Sequence, residues 1–209
     1  MSDLLNQLMG QLGGDRLGQV AGAIGADSGT TQKAISSALP ALLGALSNNA
    51  SKPEGAAALR TALDDHDGSV LDDPSDLLTG GGSGDGILNH VLGAKRSGVE
   101  QAVSDSSGLD IGSVTKLLPM LAPMLMGALG KKSKDGGMDA GALAGFLGGE
   151  RASAESSSPG LGGLAKMIDR DGDGDFMDDV KEMAGGLTGG NSAGGKGGLG
   201  GLLSKIFKR

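Results

Sequence analysis

The chain predicts an all-α fold: an internally duplicated helical bundle with kinked helices, then a short helix–acidic loop–helix and a flexible Gly-rich tail. Three observations lead there. Aromatic side chains are almost missing, since Phe146, Phe176 and Phe207 are the whole set among 209 residues. The core is therefore left to Leu, Ala, Met, Val and Ile, which suit close helix packing better than a sheet of β-branched and aromatic residues. No segment shows strand alternation, whereas several repeat apolar residues at helical spacing. Finally, residues 25–47 (GADSGTTQKAISSALPALLGALS) align without a gap on residues 108–130 (GLDIGSVTKLLPMLAPMLMGALG). Nine positions are identical, among them Asp27/Asp110, Lys33/Lys116 and Pro40/Pro123. Shared low complexity does not place Asp, Lys and Pro together in register, so duplication is the better reading.

Taken in order, Ser2 to Leu12 carries Leu4, Leu5, Leu8, Met9 and Leu12 on one face, a short amphipathic helix. Arg16 to Ile24 is a second. Asp27 then stands as an N-cap acceptor before the first long helical pattern, and Asp110 before the second. Pro40 and Pro123 fall inside those patterns, where proline deletes a hydrogen bond and crowds the preceding turn, so each helix is expected to kink or break. Glu54 to Leu63 and Met138 to Leu147 look like corresponding elements. Ile87 to Leu92 and Lys95 to Ser104 fill the span before the second long helix. These pieces make a body over residues 1–148. Residues 149–158 (GERASAESSS) read as a Ser-rich linker. Residues 159–187 follow as a helix, acidic loop and helix, residues 188–198 as a Gly-rich linker and residues 199–209 as a basic amphipathic tail.

Composition removes several function classes. There is no cysteine, which excludes disulfides and thiolate metal sites, and the two histidines, His66 and His90, make a zinc site improbable. A net charge of −7 argues against general nucleic-acid binding. Glycine contributes 42 of 209 residues, clustered rather than spaced as Gly-X-Y, which reads as linkers. A core of small side chains buries little apolar area per residue, so modest stability is expected unless the protein self-associates. The N-terminus lacks a basic region followed by a long apolar stretch, so no signal peptide is read there. The longest apolar run, Leu117 to Leu129, spans 13 residues, short of the about 20 a bilayer needs. It reads as a buried helix and the chain as cytoplasmic.

The most specific chemistry lies at Asp169 to Asp179. Calcium takes six to eight oxygens from a flexible loop. Asp169, Asp171 and Asp173 stand at positions one, three and five of an EF-hand-type loop, Gly174 at the turn position, and Asp175 offers a backbone carbonyl at position seven. Position twelve departs from the pattern: Val180 replaces the bidentate Glu, leaving Asp178 and Asp179 to close the site early. Six carboxylates within eleven residues repel one another without a cation. The candidate metal ligands are thus Asp169, Asp171, Asp173, Asp175, Asp178 and Asp179, with Ca2+ as the cofactor and a solvated acidic turn as the alternative. Asp65 to Asp73 (DHDGSVLDD) is a degenerate cousin, read as a structural turn or a vestigial site.

The stretches HDGSVLDD (66–73), GILNHVLG (86–93), LLPMLAPMLMGAL (117–129) and IDRDGDGDFMDD (168–179) together resemble the YidB-like bacterial family, a domain of unknown function (DUF937). The likeness covers residues 1–187. It implies a small all-helical domain with an acidic loop near the C-terminus, and no activity. His90, alone on an apolar helix, reads as a packing or capping residue.

Other motifs fail on context. Gly130 to Ser133 lacks the hydroxyl and the first glycine of a phosphate loop, and the Gly-rich stretch 195–200 has no strand before it. No Ser or Thr has a visible His partner, so no catalytic residue is assigned and the chain is not expected to be an enzyme. In the tail, Leu202, Leu203, Ile206 and Phe207 are mixed with Lys205, Lys208 and Arg209. Such an end suits an anionic membrane surface or a partner groove. The sequence thus leaves two functional readings. One is a non-enzymatic calcium-binding structural or interaction protein, with self-association or an unknown protein partner. The other is a membrane-surface or envelope-associated adaptor using Leu199 to Arg209.

Overall fold

The computed structural model describes residues 3–66, 68–72 and 83–157. All of them fall in the first of the two units into which the chain divides, Met1–Leu164. Every regular element among the described residues is helical.

The N-terminal pair is α1 (Asp3–Gln11), which buries Leu4, Leu5 and Leu8, and α2 (Asp15–Ile24), which buries Val20, Ala21 and Ile24. Gly25 ends α2 in the left-handed region (φ 78°), and its N–H donates to the carbonyls of Ala21 and Gly22. Glycine carries no Cβ penalty there. The chain then enters α3 (Ser28–Ala50), capped by the Asp27 carboxylate, which accepts from the Thr30 N–H at 2.9 Å. Ala34, Ile35, Ala38, Leu39, Leu42, Leu43 and Leu46 form its buried stripe, spaced three, four and seven residues apart as a core-facing helix requires. Next come α4 (Pro53–Asp64) and the short α5 (Ser69–Asp72). After them, α6 (Gly84–Leu92) leads through a 3₁₀ turn at Gly93–Lys95 into α7 (Arg96–Ser107).

The start of α8 (Ile111–Asp135) repeats the start of α3. Gly108 closes α7 with φ 77°, and the Asp110 carboxylate accepts from the Ser113 N–H at 2.9 Å. Both long helices run unbroken past their prolines, Pro40 in α3 and Pro119 and Pro123 in α8. The alternative of a broken helix is thus ruled out: proline removes one amide donor, but burial on both sides of it holds the flanking turns. All of α1 to α7 touch α8. From Leu117 to Gly130 every α8 residue except Pro119 is buried. By length and composition α8 could cross a membrane, yet 72% of its most apolar window is enclosed by the other helices, consistent with the buried helix expected there.

The last helix, α9 (Ala140–Ser157), corrects the linker expected at 149–158. Residues 149–157 are helical, and three interactions hold them. The Glu150 carboxylate accepts from the Leu4 N–H at 3.2 Å, Arg151 Nε donates to Glu155 Oε1 at 2.7 Å, and Ala154 is buried. Ala, Glu and Arg are good helix formers, and here they outweigh the serines. Packed on α3 and α4, α9 closes that side of the bundle.

Candidate functional site

A cleft of about 560 Å³ opens between the end of α3, one side of α4 and one side of α6. That volume lies within the about 300–1,000 Å³ typical of small-molecule sites.

Each wall follows from helical spacing. On α4, Gly55, Ala58, Leu59 and Ala62 recur at three- and four-residue intervals, and His66 continues the row beyond the helix end. Across the opening, α6 presents Gly86, Ile87, His90 and Val91 in the same way, with Ser83 just before its start. Leu46 and Met126, 2% and 3% exposed, supply apolar lining from α3 and from the central helix α8.

The corner between α3 and α4 places the polar groups. Ser51 closes α3, its hydroxyl donating to the Asn48 carbonyl at 2.7 Å. Lys52 is extended (φ −93°, ψ 134°), as a residue before proline must be, and Pro53 opens α4 with the fixed φ of a first helical position. A side chain on Gly55 would run into the Asn49 carbonyl oxygen, so the tight corner demands glycine. Asn49 Nδ2 donates to the Val91 carbonyl at 3.0 Å, tying α3 to the C-terminal end of α6.

The polar rim consists of Asn48, Asn49, Lys52, Glu54, Ser83, His66 and His90. Among the described residues no hydrogen bond or ion pair engages the side chains of Lys52, His66 or His90. Glu54 lies in the first turn of α4, where the amide ends of the helix favour a negative charge. The single carboxylate of α6, Asp85, is held by Arg96 Nη2 at 2.7 Å. Arg96 Nε also donates to Glu100 at 2.8 Å, and Glu100 first, then Asp85, holds the guanidinium above its ordinary pKa. Among the described residues no Phe, Tyr or Trp lines the cleft.

His90 therefore sits differently from the sequence expectation. His90 is an exposed wall residue, not a packed or capping one, and half-buried His66 faces the same opening from α4. Asn48, Asn49 and Lys52 carry no sequence signal for a site, because only the turn at Pro53 brings them to it. The six aspartates read as calcium ligands, Asp169, Asp171, Asp173, Asp175, Asp178 and Asp179, lie outside the described residues, as does the tail at 199–209. Among the described residues no group of three or more His, Asp or Glu is placed to hold a metal. The acidic stretch around residue 68 forms a turn: Gly68 is left-handed (φ 92°), packs against Gly127, and accepts from the Leu71 N–H at 2.9 Å. Asp67 and Asp73 of that stretch lie outside the described residues.

The model of a family described as a bacterial protein of unknown function (DUF937) matches residues 6–132. That span holds every cleft residue and both aligned stretches, 25–47 and 108–130, and ends before the acidic loop. No curated protein and no solved structure matches the chain.

Proposed function

The chain belongs to the DUF937 family of bacterial proteins of unknown function, and from that premise we propose a non-enzymatic calcium-binding protein that acts by structural interaction. The family supplies no activity to transfer, so the reading stands on this chain's own residues. The observation that carries it is the spacing of Asp169, Asp171 and Asp173 about Gly174, with Asp178 and Asp179 available to close the coordination. An enclosed helical body whose one described cleft shows aliphatic, amide and imidazole groups supports an interaction role. Calcium titrated into the full chain is expected to give binding heat that disappears in the Asp169→Ala, Asp173→Ala double variant. Absence of heat at millimolar calcium would overturn the metal reading. Light scattering with and without calcium tests whether the interaction is self-association.

The finer architecture belongs to the same proposal. Residues 25–47 and 108–130 descend from one duplicated unit. The reading is supported by their nine shared residues and by the left-handed glycine and capping aspartate that open each long helix. Pro40 and Pro123 bend the two helices at equivalent places. The second functional reading, a membrane-surface adaptor, has its own support in the basic amphipathic residues Leu199 to Arg209. Lipid co-sedimentation with and without those residues separates the two readings, since equal pelleting would exclude the membrane.

A further inference from the structure

We propose that the α4–α6 cleft is a binding site for a small aliphatic carboxylate, independent of the calcium loop. Size, lining and charge each narrow the ligand. The volume of about 560 Å³ suits a single small organic molecule. Leu46, Leu59, Ile87, Val91 and Met126 make the apolar wall, four aliphatic side chains and one thioether. Among the described residues no Phe, Tyr or Trp offers a broad stacking surface, whereas an alkyl chain meets surfaces of its own kind on the aliphatic wall. Met126 adds an adaptable thioether arm.

The rim then selects the head group. Lys52 brings a formal positive charge with no partner of its own. His66 and His90 present imidazoles on the two walls, and even the neutral ring keeps one N–H donor. Among the described residues the rim carries one carboxylate, Glu54, placed in the first turn of α4 where the amide end of the helix favours its charge, and Asp85 is held by Arg96. Lys52 and the two imidazoles have no side-chain partner among the described residues, and a carboxylate is the head group that meets a cation and N–H donors together. A carboxylate also binds Lys52 and the imidazoles without needing a donor of its own.

Decanoate, kept below its micelle-forming concentration, is the probe, with decylammonium and decan-1-ol as charge controls, titrated into the full chain by calorimetry and backbone-amide NMR. One decanoate per chain is expected, at least ten-fold tighter than decylammonium, with amide shifts centred on α4 and α6. Lys52→Glu, an exposed change, is expected to weaken decanoate at least five-fold. Gly86→Leu fills the cleft, and a Cβ at Gly86 meets nothing within 4 Å, so it should abolish binding with an unchanged circular dichroism spectrum. Absence of binding, equal affinity for the ammonium, or binding indifferent to both variants would overturn the proposal.

Discussion

At the scale of the residue, Asp27 and Asp110 show how a short sequence signal becomes structure. Both were legible in the sequence as acceptors ahead of a helical pattern, and both accept from the N–H three residues on at 2.9 Å. Hydrogen bonding from Thr30, side chain first and amide second, holds the Asp27 carboxyl below its ordinary value, and Ser113 does the same for Asp110. A folded-state pKa below the unfolded one means that the contribution is complete above the ordinary carboxylate range. It is then lost as pH falls through the lowered values. Removing either cap by substitution to Ala should lower Tm by about 2–4 °C at neutral pH. Asp110→Ala should be the worse, because Ser113 Oγ lies 2.6 Å from Asp110 Oδ2 and 3.0 Å from the Ile24 carbonyl, joining the start of α8 to the end of α2. That second bond crosses 89 residues, and no local pattern announces it. Thermal melts followed by circular dichroism from neutral pH to pH 3 should show the wild-type lead shrinking below about pH 4. A lead that grows on acidification would contradict the assignment.

At the scale of the element, glycine separates what the sequence told from what it hid. Most helices could be read from apolar spacing, since each buries one stripe and the stripe sets the period. One segment departs from the sequence expectation, and at the prolines one of two alternatives is excluded, both for physical reasons. Residues 149–157 looked like a linker because Ser was weighed above the pairing of Arg151 with Glu155 and the burial of Ala154, both of which need the helix to exist first. The prolines looked able to break α3 and α8, but packing around the buried turns keeps both helices continuous. Glycine in a helix is ambiguous from sequence, because the same residue can mark a flexible spot or a close crossing. A side chain on Gly84 would run into the Pro119 carbonyl of α8, and one on Gly130 into the carbonyl of His66. Gly18 and Gly22 in α2 meet nothing within 4 Å. Substitution to Ala should therefore act with opposite signs. At Gly84 or Gly130 it should destabilise by about 1–3 kcal/mol, because only backbone can move aside. At Gly18 or Gly22 it should stabilise by about 0.5–1 kcal/mol through backbone entropy. Urea unfolding of the four single variants checks this, and loss of stability at Gly18 and Gly22 as large as at Gly84 would refute the close-crossing account.

At the scale of the whole molecule, the helix that looked most like a membrane span is the one the rest of the fold exists to cover. α8 is touched by α1 to α7, and α9 then seals α3 and α4. Among the described residues the hydrophobic cluster runs from Leu4 to Ala154. The cleft belongs to that body, because its walls are α4 and α6 and its lining includes Met126 of the central helix. No sequence pattern could have located it: residues 46 to 126 meet there only after the bundle closes. Metal binding and the body can therefore be tested apart. A fragment ending at Leu164, the limit of the first unit, retains every described helix and should unfold cooperatively with a Tm close to that of the full chain. The same fragment lacks Asp169 to Asp179 and should give no calcium heat, in contrast to the heat expected of the full chain. Equal heats from the two would instead move the metal to the acidic turn at 65–73. A fragment that fails to fold would mean that residues beyond 164 complete a core which already encloses Leu8, Leu43, Leu118 and Leu147 at 0% exposure.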